Sequence, residues 1–96
     1  MVKNADADRE FIEFVLKQVA EFPDKVVIEK KKDEQGILLT VQVAKEDMGR
    51  VVGKSGRTAQ ALRTLLRLIG SVNSGEKVNL KIIEPSGEEM AETKEE

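Results

Sequence analysis

MGRVVGKSGRTAQALRTLLRLI, residues Met48 to Ile69, contains a glycine-bounded tetrapeptide, Gly53-Lys54-Ser55-Gly56, between two segments of helical pattern. Glycine has no Cβ, so a loop closed by two of them lets the main chain approach a bulky anion with its N–H groups turned outward. The second segment opens at about Arg57, which adds unpaired amide donors and the positive end of a helix dipole. Charge agrees with geometry. Between Met48 and Gly75 the ionised residues are Arg50, Lys54, Arg57, Arg63 and Arg67, with no Asp or Glu. These features point to a clamp for a nucleic-acid backbone.

Working outward, the pattern predicts six elements. Asp6 or Asp8 caps a helix running to about Glu21, with Phe11, Ile12, Val15, Leu16 and Val19 as its apolar stripe and Phe22-Pro23 as its stop. A strand over Val26 to Lys32, a turn at Asp33-Glu34-Gln35-Gly36 and a second strand over Ile37 to Ala44 follow, Leu39, Val41 and Val43 alternating with Thr40 and Gln42. Glu46 and Asp47 fall in the first turn of a short helix that reaches Val52. After the loop, Ala59, Leu62, Leu65, Leu66 and Ile69 recur at helical spacing, opposite a wet face of Arg57, Gln60, Thr64 and Arg67. Gly70 is the expected stop, and Lys77 to Ile83 the third strand.

Composition narrows the function. At 96 residues with a net charge of −2, the chain is sized for one small domain, and it contains neither Cys nor His. Disulfides and thiolate metal sites are excluded, and the commonest catalytic base and metal ligand is missing, so no enzyme, metal or cofactor is expected. MVKNADADRE has no signal-peptide core and no apolar run approaches a bilayer span, so the expectation is a soluble, cytoplasmic protein without a membrane partner. The acidity is local. Glu84 to Glu96 holds six glutamates against Lys94, and after Pro85-Ser86-Gly87 it reads as a disordered tail, residues 85–96, behind a domain of residues 1–84.

With Val51-Val52-Gly53-Lys54-Ser55-Gly56 between its central helices and the order helix, strand, strand, helix, helix, strand, the chain resembles a type II KH domain, specifically the short bacterial KhpA-like proteins. The resemblance implies an α+β fold of order α-β-β-α-α-β, a three-stranded mixed sheet carrying three helices on one face. It implies a groove for about four nucleotides of single-stranded RNA beside the loop. Carried over position by position, Gly53 and Gly56 provide the close approach, Lys54 and Ser55 face phosphates, Arg50 and Arg57 flank them, and Val52 lines the floor with Leu38, Thr40 or Gln42. The connection between the first two strands forms the opposite lip, making Lys30, Lys31, Lys32 and Gln35 secondary candidates. The family also implies self-association, and pairing with a larger KH protein of the KhpB (Jag) type. The implied role is that of a post-transcriptional regulator or RNA chaperone.

Plainer readings stand beside these. A GxxG tetrapeptide also serves as an ordinary turn, Lys30 to Lys32 also blunt a sheet edge, and Arg63 and Arg67 also suit a merely solvated helix face. A nucleotide-binding P-loop fails on spacing, because the opening glycine of GxxxxGK[ST] would have to stand at Met48. A protein-interaction module on the same fold, with RNA secondary, is the alternative: Ala61, Leu65, Leu68 and Val72 make a second apolar row. With three Phe and no Tyr or Trp, an aromatic stacking platform is excluded.

Overall fold

Strict alternation builds the sheet. In the computed structural model, which describes residues 6–84, β2 (Gly36–Gln42) buries Ile37, Leu39 and Val41, and β3 (Val78–Ile83) buries Val78, Leu80 and Ile82. The intervening residues face the other way. β2 is central: β1 (Val27–Asp33) pairs with it antiparallel, Lys30 opposite Leu39, and β3 pairs with it parallel, Leu80 opposite Leu39. The sheet is therefore mixed, as a short hairpin on one side and a two-helix crossover on the other require.

Three helices, α1 (Ala7–Val19), α2 (Met48–Val52) and α3 (Arg57–Asn73), cover one face. Ile12 and Leu16 of α1, Met48 and Val51 of α2, and Ala59, Leu62 and Leu66 of α3 join the buried strand residues in a single core. The expected order α-β-β-α-α-β and the α+β class hold. The expected tail, residues 85–96, lies outside the described residues.

α1 ends at Val19, short of the expected Glu21, and the cause is distant in sequence. The buried Asp47 carboxylate accepts the Glu21 N–H on Oδ1 at 2.8 Å and the Phe22 N–H on Oδ2 at 3.0 Å, taking the amides that would continue the helix. At the other end neither candidate cap acts as one. Asp6 makes no capping bond, and Asp8 is buried, bonded to the Arg9 N–H at 2.8 Å and to Lys30 Nζ at 3.0 Å. Burial alone would lower the Lys30 pKa, but its bonds to Asp8 and Asp6 outweigh that and hold it above the ordinary lysine value.

Two expectations about α3 need correction. Leu65 is not core: it is 44% exposed, along with Leu68 at 59% and Val72 at 53%. At about 100° per residue, Leu65 lies roughly 100° from the centre of the Ala59, Leu62, Leu66 and Gly70 stripe, and falls into the outer row. Gly70 is not a stop either. The helix continues to Asn73, and a Cβ on Gly70 would overlap the Val78 side chain and meet the Glu76 carbonyl at 2.8 Å. Only glycine lets α3 sit this close to β3. The stop is Gly75, at φ +75°, whose N–H bonds the Gly70 carbonyl at 2.8 Å.

Candidate nucleic-acid interface

The loop is held from both sides. Burial of Met48 and Val51 fixes α2, the Gly53 N–H closes it on the Gly49 carbonyl at 2.8 Å, and the Gly56 N–H returns to the Gly53 carbonyl at 3.1 Å. Gly53 adopts φ 82° and ψ 170°, then Ser55 and Gly56 both turn left-handed, at φ 56° and 73°. Ser55 is the one non-glycine with positive φ among the described residues. Such a conformation costs roughly 1–2 kcal/mol for an L-residue, and strain of this kind concentrates at functional sites.

This geometry drives the apex outward. Lys54, Ser55 and Arg57 are exposed, and among the described residues none of their side chains is engaged in a hydrogen bond or ion pair. Gly56 caps α3 without a side-chain acceptor, and the Arg57 N–H bonds back to the Lys54 carbonyl, so what a 17-residue helix offers beside these two cations is the positive end of its dipole. An oxyanion arriving there meets two positive charges, a hydroxyl and the positive end of a helix dipole.

The other sequence candidates are placed differently. Arg50 donates from Nη1 to the Val19 carbonyl at 3.2 Å, tying α2 to the negative end of α1. Arg63 donates from Nη2 to the Leu80 carbonyl at 3.1 Å, bracing α3 against β3, while Arg67 stays exposed one turn further on. Val52 is half-buried against the core beside the loop. Leu38, Thr40 and Gln42 cannot share its floor, because the register sets them opposite the buried Leu39 and Val41, on the sheet face away from the helices.

The expected opposite lip is also corrected. α3 runs antiparallel to β3 with Gly70 against Val78, so the loop sits at the end of the sheet where β2 and β3 finish. The hairpin after Asp33 sits where β2 begins, about 20 Å away along α3. Its lysines are partly occupied as well: Lys30 pairs with Asp6 and Asp8, and Lys32 with Glu76 at 3.1 Å. Thr58 went unnoticed in the sequence, although its side chain and N–H fill the space where a Gly53 Cβ would go. Nothing in the local spacing marks it.

A GxxG loop between the two helices of a strand-helix-helix-strand unit, preceded by a helix and an antiparallel strand, defines a KH domain of the type II order. The sequence model of the KhpA/KhpB KH domain matches residues 9–82, and the chain belongs to that family. It is 43% identical over 75 residues to RNA-binding protein KhpA of Listeria monocytogenes serovar 1/2a, covering 78% of this chain and 97% of that relative. Against RNA-binding protein KhpA of Clostridium acetobutylicum it is 37% identical over 75 residues, covering 78% and 99%. Against that of Chlamydia pneumoniae it is 37% identical over 76 residues, covering 79% and 96%.

Proposed function

We propose that this protein binds single-stranded RNA through Gly53-Lys54-Ser55-Gly56, with Arg57 at the start of α3, Val52 as the apolar neighbour and Arg50 as a flanking charge, and acts as a post-transcriptional regulator or RNA chaperone. The observation that carries it is the exposed, unengaged pair Lys54 and Arg57 on a loop whose backbone is bent for close approach. Relatives that match this chain over nearly their whole length are RNA-binding proteins by name, which supports the same ligand here. Binding is by phosphate contact with modest sequence preference, and no catalytic step is assigned to it. A cytoplasmic location goes with that ligand; among the described residues no helix is long and apolar enough to cross a membrane.

Self-association is the second part of the reading. The exposed Leu65, Leu68 and Val72 on the outer side of α3 form an apolar row suited to a second copy or to a KhpB-type KH protein. The KhpA/KhpB scope of the family supports the latter partner. The pairing accompanies RNA binding and does not replace it.

The test is a titration of labelled oligouridine at a series of salt concentrations. With three or four phosphates neutralised, log affinity falls against log salt with a slope of roughly −2 to −3. A flat dependence would contradict phosphate-led binding.

A further inference from the structure

Residues 85–96 follow the family match, which ends at residue 82, and contain Glu88, Glu89, Glu92, Glu95 and Glu96 against Lys94 alone. The fold decides where this stretch is attached. Arg63 and Leu80 are tied at 3.1 Å across α3 and β3, which run in opposite directions. From that tie, Gly56 lies about 10 Å back along the helix, and Glu84 lies about 13 Å onward along the strand. Both displacements point the same way. The chain therefore leaves the sheet at the end where the Gly53–Gly56 loop sits, and not at the hairpin end.

Reach and charge follow from this placement. Twelve further residues span at most about 40 Å, so the glutamates can arrive at the loop without distortion of the sheet. No Asp or Glu occurs between Met48 and Gly75, and among the described residues Lys54 and Arg57 have no acidic partner. A carboxylate satisfies the same donors as a phosphate oxygen, and a tether raises its local concentration to the millimolar range.

We propose that the acidic segment 85–96 docks intramolecularly on the Gly53–Gly56 loop and competes with RNA phosphates for Lys54 and Arg57. This rests on the reading of the loop as the RNA contact. The device sets a threshold: strands that engage several phosphates at once displace the segment, whereas short or weakly engaged ones do not. It fades as salt rises, since screening at physiological ionic strength acts over about 8 Å.

The test compares the full chain with a full-length variant carrying Glu→Gln at Glu88, Glu89, Glu92, Glu95 and Glu96. Amide NMR without RNA reads the docking, and a labelled oligouridine titration at low and high salt reads the competition. The expected results are amide shifts concentrated at residues 53–57 and about two- to fivefold tighter RNA binding by the variant at low salt, the gap closing at high salt. Unmoved loop amides, or equal affinities in two proteins that both bind RNA, overturn the tail proposal and leave the RNA-binding reading intact. If neither protein binds oligouridine, the RNA-binding reading fails and the competition fails with it, whatever the loop amides show.

Discussion

Gly53 and Thr58 stand so close that a β-carbon on Gly53 would overlap the Thr58 side chain and lie 2.7 Å from the Thr58 amide nitrogen. The contact locks the end of α2 to the first turn of α3. It thereby fixes the direction in which Lys54 and Ser55 project.

Gly53→Ala combines that overlap with a φ of +82° and is expected to cost about 2–4 kcal/mol. Gly49→Ala is the matched control. No atom lies within 4 Å of a Cβ built there, the residue is exposed on α2, and the change should be neutral or stabilise by about 0.5–1 kcal/mol. Urea denaturation of both variants checks the pair; equal costs would mean that the loop tolerates side chains freely.

The outer row of α3 makes a prediction about assembly. Leu68→Lys should shift the protein toward monomer in light scattering while its melting temperature stays near the wild-type value, because Leu68 is 59% exposed. Leu66→Ala, at a fully buried position one helical face away, should instead cost about 2–5 kcal/mol. A wild type that is monomeric at high micromolar concentration would reject self-association.

How much of this was legible in the sequence depends on the range of the cause. The GxxG loop, the opening of α3 at Arg57 and the alternation of β2 were legible because glycine spacing and period-two patterning are local. The end of α1 was not, since Asp47 takes the Glu21 and Phe22 amides from more than twenty residues away. Gly70 looked like a stop because glycine often is one, whereas its role is to admit Val78. Leu65 fell on the boundary between two helical rows, where spacing alone cannot choose. The roles of Arg50 and Arg63 as braces on the Val19 and Leu80 carbonyls leave no mark in one-dimensional charge patterning.

Lys30 gives the fold an alkaline limit. Burial opposes its charge, the bonds to Asp8 and Asp6 prevail, and its pKa in the folded protein stands above the ordinary value. The stabilisation is complete below the unfolded lysine pKa of about 10.4 and is lost as pH rises through the higher folded value. Urea midpoints measured from about pH 9 to 11.5 should therefore fall more steeply for the wild type than for Lys30→Met. Parallel curves would show that the Lys30 ion pairs contribute nothing to stability.

The central claim is that the loop apex meets RNA. Titration of single-stranded RNA with the Lys54→Asp/Ser55→Asp double variant, alongside circular dichroism, tests it most directly. Both side chains are exposed, so the variant should keep the wild-type fold, and reversal of charge at the apex should weaken binding at least tenfold. A folded double variant that binds RNA with wild-type affinity would contradict the account.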